Sequence, residues 1–187
     1  MRLTHYGGKK LARVLGKHKE NIQEIERALK VNITIRKDGN ITIKSKEKDK
    51  EEALDEYLVS KILEALALGF EVDSALFLKD EEYVLKVIDL KVYATGSRLQ
   101  TVIGRIIGKQ GKSKKVLQSL SHCQIAISEH NVGLIGRAEN VEVASEAIEK
   151  LIRGAPHSNV FKFLERSQTY LKKQEFLLQD LKEKKKN

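Results

Sequence analysis

The chain has 187 residues and a formal charge of +9, from 35 Lys+Arg against 26 Asp+Glu, a balance that favours a polyanionic partner. No apolar run is long enough to span a membrane, no N-terminal h-region marks secretion, and the single cysteine, Cys123, excludes an internal disulfide; together these fit a reducing, cytoplasmic setting. Hydrophobic residues at 41% allow real cores, whereas aromatics at 5% with no Trp disfavour base stacking on rings as the main mode of contact.

Leu3 to Tyr6 reads as a brief strand, and residues 10–15 as a short helix leading to Gly16. Glu20 to Leu29 carries Ile22, Ile25 and Leu29 on one helical face. Val31 to Ile35 alternates as a strand, Asp38-Gly39 signals a hairpin, and Ile41 to Ile43 is the return strand. Lys48 to Leu66 predicts a long helix through Leu54, Leu58, Ile62 and Leu66, ended by Gly69. Residues 70–82 read as a linker, with Asp80-Glu81-Glu82 a surface turn. Tyr83 to Leu90 is a strand, Gly96 breaks the chain, and Arg98 to Ile107 and Lys112 to Ser121 are helices; the second is buried through Val116, Leu117 and Leu120. Gln124 to Ser128 and Val132 to Ile135 are strands about a turn at Glu129 to Asn131. Glu139 to Arg153 is a helix stopped by Gly154 and Pro156, and Ser158 to Asn187 is helical, with a lysine-rich end expected to fray.

The two halves are one unit written twice. Over the 92 residues that separate Gly16 from Gly108, Lys17 falls on Lys109, Ile25 on Leu117, Val31 on Cys123, Ile33 on Ile125, Ile35 on Ile127 and Ile43 on Ile135, with no gap. The expected architecture is α+β. Residues 1–69 and 83–156 are β-α-α-β-β-α units joined by the linker at 70–82, and residues 157–187 are a C-terminal helix with a basic tail.

Chemistry gathers at Ile103-Gly104-Arg105-Ile106-Ile107-Gly108-Lys109-Gln110-Gly111-Lys112-Ser113-Lys114-Lys115. Gly108 and Gly111 permit a sharp turn and the close approach of a sugar-phosphate chain. The helix that follows turns its free amides and dipole toward that corner, where they favour a phosphate. Lys109, Gln110 and Lys112 are placed to hold phosphates, Arg105 to reach a phosphate or base edge, and Lys115 adds charge one turn on. Ile103 and Ile107, opposite the strand bearing Ile125 and Ile127, offer an apolar groove for bases, with Gly104 beside them; which of these isoleucines are ordinary core stays open. A basic GXXG loop between two helices is the signature of KH modules, which clamp about four nucleotides of a single strand.

The whole unit order resembles tandem type I KH domains. Residues 104–112, Ala147-Ile148, Leu151 to His157, Val160 and Leu164-Glu165 further resemble the partner-of-Nob family, archaeal and eukaryotic KH-domain factors of small-subunit ribosome assembly. That resemblance implies binding to the 3′ region of small-subunit rRNA within the pre-small subunit. It also implies partnership with the Nob-type endonuclease that trims that end, and it suggests contact with the alpha subunit of initiation factor two. Two departures stand out. Gln110 replaces an acidic residue expected in the family, which makes the loop more hospitable to phosphate. The first unit reads Gly16-Lys17-His18-Lys19, and a lysine at the second glycine's place resists a positive φ. Gly16, Lys17 and Lys19 are therefore the weaker RNA candidates, in a unit that either touches phosphate or braces the other.

No constellation points to catalysis. Gly111-Lys112-Ser113 lacks the first glycine of a Walker A loop, since Ile106 stands there. The histidines, at 5, 18, 122, 130 and 157, are too scattered to pair on a metal, and Cys123 has no partner cysteine, so no metal or cofactor is expected. The reading is a non-catalytic, RNA-binding assembly factor that presents rRNA to a nuclease. A KH subunit of the exosome or of transcription elongation, and a protein-docking scaffold, remain the alternatives.

Overall fold

A computed structural model describes residues 2–36, 39–45 and 52–184. The first half runs β1 (Arg2–His5), α1 (Gly8–Leu15), a 3-10 turn at Lys17–Lys19, α2 (Glu20–Leu29), β2 (Val31–Ile35), β3 (Asn40–Ser45) and α3 (Glu52–Leu68). The second half repeats this order: β4 (Tyr83–Asp89), α5 (Gly96–Ile107), a 3-10 turn at Lys109–Gly111, α6 (Lys112–Ser121), β5 (Gln124–Ser128), β6 (Asn131–Arg137) and α7 (Ala138–Ile152). Each half has an antiparallel three-stranded sheet with the last strand in the middle, ordered β1-β3-β2 and β4-β6-β5. The predicted start of α3 at Lys48 and the residue Asp38 lie outside the described residues.

The two cores show why these segments fold so. Val14, Ile25, Ile33, Ile43, Ile62 and Leu66 meet in the first; Ile106, Leu117, Ile125, Leu134 and Ile148 meet in the second. The period of three to four in α2 and α6, and the period of two in β2 and β5, deliver these side chains to one side of each element. Cys123 is buried in the second core, as Val31 is in the first.

The gapless repeat fails at the hairpins. Ile33 pairs with Ile43, whereas Ile125 pairs with Leu134. The connection from Ile127 to Val132 is one residue shorter than that from Ile35 to Ile41. A one-residue change moves each later strand residue to the opposite face. Leu134, not Ile135, therefore takes the place of Ile43, and Ile135 points into the core of the first half.

That second face of the β4-β6-β5 sheet is where the halves join. Ile135 and Ala126 belong to the first core, and a methyl group on Gly133 would lie 2.6 Å from Phe70 Cε2 and 3.2 Å from Leu68 Cδ1. Arg13 Nη1 donates to Ser128 Oγ (2.6 Å) and to the Ala67 carbonyl (3.3 Å), crossing the same seam.

Residues 70–79, read from sequence as part of a linker, are structured and packed. They form α4 (Val72–Leu76) and a 3-10 turn at Phe77–Lys79, with Phe70, Ala75 and Leu78 buried in the first core. Val72, Ala75 and Leu76 fall at i, i+3 and i+4, an apolar face that packs rather than spans. Asp80 to Glu82 is the exposed turn expected. A long helix, α8 (His157–Lys184), closes the second half; its Val160 and Leu164 are fully buried in the second core, worth about 1.5–3 kcal/mol each. No helix among the described residues is long and apolar enough to cross a membrane.

Candidate nucleic-acid interface

The loop between α5 and α6 is built from backbone. Gly108 ends α5 at φ 72° and ψ 173°, its N–H bonded to the Gly104 carbonyl at 2.8 Å. Gln110 and Gly111 then take the left-handed region (φ 54° and 75°), and the Gly111 N–H returns to the Gly108 carbonyl at 3.1 Å. The two glycines are required for different reasons. A methyl group on Gly108 would meet Ser113 Cβ at 2.5 Å and Ser113 N at 2.7 Å, so nothing larger fits under α6. A methyl group on Gly111 would meet nothing within 4 Å. There the positive φ and the open space in front, where a strand's backbone can approach, favour glycine.

The corner is left open electrostatically. Among the described residues, no acceptor is bonded to the amides of Lys109 and Gln110. The first turn of α6 contains no acidic residue and no side chain caps it, so the positive end of its dipole lacks an acidic partner there. Lys109, Gln110, Lys112 and Lys115 are exposed, and Lys114 is half-buried. Gly104 is exposed within α5, with 4 Å clear around the site of its missing methyl. Ile103 and Ile127 are half-buried against the second core and Ile107 is half-buried, while Ile106 and Ile125 are ordinary core.

The Arg105 side chain is bonded to the end of α7 and the region just past it. Its Nη2 donates to the Ala155 carbonyl (2.7 Å) and its Nε to the Leu151 carbonyl (3.3 Å). It thus adds a donor to the Leu151 carbonyl, which also accepts the Gly154 N–H at 3.1 Å, and binds the Ala155 carbonyl just past α7, a cation at the negative end of that helix. His157 Nε2 lies 2.9 Å from the carbonyl of Arg105, tying α8 to the same point. Nothing in the local spacing announces partners 46 and 50 residues away.

The first loop has the same backbone and a different front. Gly16 (φ 68°, ψ −173°), His18 (φ 51°) and Lys19 (φ 64°) trace the path of Gly108, Gln110 and Gly111. Lys19 therefore adopts the positive φ that its side chain disfavours, contrary to the expectation from sequence. What separates the two loops is Glu20, whose Oε1 accepts the Lys17 N–H at 3.2 Å. A carboxylate thus takes up an amide of this loop. Lys17 and Lys19 are exposed beside it, and Asn21 fills the space over Gly16 while its Nδ2 donates to the Arg13 carbonyl.

Comparison with known proteins agrees with this geometry. Residues 84–169 match the model for the second KH domain of PNO1, described as a eukaryotic-type KH domain, KH-domain type I. The KH domain-containing protein MJ0443 of Methanocaldococcus jannaschii is 37% identical over 166 residues, 88% of this chain and 73% of that protein. The pre-rRNA-processing protein pno1 of Emericella nidulans is 33% identical over 103 residues; the match covers 53% of this chain and 40% of that protein, so the chain spans well under half of its fungal relative. Among solved structures, the complex of a/eIF2alpha, aDim2p and rRNA from Pyrococcus horikoshii contains a chain 31% identical, with a TM-score of 0.80, covering 90% of this chain and 93% of that one. With the open loop at Gly108–Gly111, the doubled unit and a relative matched over most of both lengths, the chain belongs to the archaeal PNO1-type family of KH-domain proteins.

Proposed function

We propose that this protein is a non-catalytic RNA-binding factor of small-subunit ribosome assembly, and that its two halves are tandem type I KH domains of which the second grips RNA. The observation that carries this reading is the second loop: two unbonded amides, a helix N-terminus free of acid, and exposed Lys109 and Lys112. Phosphates of a single strand would lie on Gly108 to Lys112, and bases in the groove edged by Ile103, Ile107 and Ile127. The first half, its loop occupied by Glu20, braces the sheet of the second. The relative from Pyrococcus horikoshii, solved with rRNA and a/eIF2alpha, supports the rRNA ligand and the alpha subunit of initiation factor two as a partner. The resemblance to the partner-of-Nob family adds the 3′ region of small-subunit rRNA and a Nob-type endonuclease to which the strand is presented.

The test is affinity for a single-stranded fragment of the small-subunit rRNA 3′ end. Placing Asp at both Gly108 and Gly111 sets two carboxylates against phosphate and is expected to weaken binding at least tenfold; unchanged binding would overturn the reading. Specific cleavage of the fragment by the purified protein with magnesium alone would overturn its non-catalytic part.

A further inference from the structure

Beside the loop, on the flank away from β5, the start of α8 leaves a cavity of about 260 Å³. Its lining is Gly108, Lys109, Lys112, Ser113, Val116, His157 and Phe161. The groove of the proposed clamp lies on the other side of α6, where Gln118 bonds Gln124 of β5. Val116 and Phe161 give the cavity apolar walls, and the His157 ring stands 6.0 Å from that of Phe161, tilted by 60°. His157 is held in place by the Arg105 carbonyl, so the aromatic pair is fixed rather than free to collapse inward. Lys109 and Lys112 are exposed at the mouth. One wall contains Ser113, 7% exposed, whose Oγ is buried without a hydrogen-bond partner among the described residues.

We infer that this cavity is a nucleobase subsite, which takes the base of the nucleotide adjoining those held by the Gly108–Gly111 loop. The inference rests on the clamp reading and extends it. The chemistry fits one nucleotide: Lys109 and Lys112 for its phosphate, and Val116, His157 and Phe161 for its base. The volume is slightly below the range of about 300–1,000 Å³ typical of sites for drug-sized molecules, the scale of a single base. In a chain with few aromatic residues, α8 thus supplies the stacking surface that the KH unit itself lacks. A protein side chain of an assembly partner is the rival occupant, and the test separates the two.

The test uses the full chain and the single-stranded rRNA fragment, with one abasic nucleotide walked along it. Wild-type protein is expected to lose affinity at the clamped positions and at one more beside them, by about 5- to 100-fold, the range of base–aromatic stacking. In Phe161→Ala the loss at that extra position should vanish while the others persist. Phe161→Leu, which keeps apolar bulk against the core, should behave like Phe161→Ala and guards against a folding artefact. Identical abasic profiles in wild type and both variants would overturn the subsite and leave the clamp standing. Unchanged binding by the Asp variants of Gly108 and Gly111 would instead overturn the clamp.

Discussion

Glu20 and Lys112 occupy the same point of the two halves, the first residue of the helix after the loop, and they act oppositely. Glu20 accepts the Lys17 amide and brings a negative charge to the start of α2; Lys112 leaves the matching amide of Lys109 open and adds a positive charge. Since the two loops share one backbone path, the proposed clamp has charge at this position set which loop takes a phosphate. Lys112→Glu should therefore close the second loop, and RNA affinity is expected to fall at least tenfold. Glu20→Lys should open the first and steepen the salt dependence by about 0.7 in log–log slope for each phosphate newly contacted. Fluorescence anisotropy across a salt series measures both. Equal affinities for Lys112→Glu and wild type would sink the argument.

The same backbone path sets a stability prediction. Lys19 stands at φ 64° where Gly111 stands at 75°. A left-handed φ costs an L-residue about 1–2 kcal/mol. Glycine would relieve that and lose about 0.5–1 kcal/mol to its freer unfolded state, so Lys19→Gly is expected to stabilise by about 0.5–1 kcal/mol. Gly108→Ala has the opposite sign, because its methyl would strike Ser113 at 2.5 Å in addition to the strain. Thermal melts should show the first rising by a few degrees, at about 2–4 °C per kcal/mol for a chain this long, and the second falling. A fall in both would mean that the first loop does not hold this shape in solution.

Much of this fold is legible in the sequence because local periodicity and glycine placement agree. Val31 to Ile35 and Lys112 to Ser121 form the elements that their patterns specify, with the same ends. The hairpin slip was not legible, because β6 is buried on both faces. Val132 and Leu134 serve one core and Ile135 the other, so no polar residue marks the change of face. Residues 70–79 read as a linker because the apolar face of so short a helix is hard to tell from a loop, yet Phe70 and Leu78 are buried. At the site, spacing revealed the glycines and lysines, which act locally. It could not reveal Arg105 at the end of α7, or Phe161 and His157 beside the loop, because tertiary packing alone brings these together.

Arg105 separates structural from RNA-contacting cations. Removing it leaves the Ala155 carbonyl without the guanidinium donor, while the Leu151 carbonyl keeps the Gly154 N–H. Arg105→Ala should cost about 1–3 kcal/mol, the range for hydrogen bonds from a charged group. Affinity for the rRNA fragment, measured on folded protein, should stay within about twofold, against the at least tenfold loss expected of Lys112→Glu. A stable Arg105→Ala protein that no longer binds RNA would return Arg105 to the groove.

Cys123 gives the fold a pH limit on the alkaline side. Burial pushes its thiol up to about 11, against which the hydrogen bond with Ser121 acts only partly. The folded state thus holds the proton more tightly than the unfolded chain, whose thiol titrates near its ordinary value of 9.0. The sign follows from linkage: stability is intact below pH 9 and declines as pH rises from there toward 11, by on the order of 2 kcal/mol. Cys123→Ala removes the titrating group. Its urea midpoint is expected to be lower than wild type at pH 7, from lost packing, and to fall less between pH 9 and 11. Thiol reagents should label the native protein slowly at pH 8 and rapidly in urea. Rapid labelling without denaturant would show that β5 does not keep Cys123 covered.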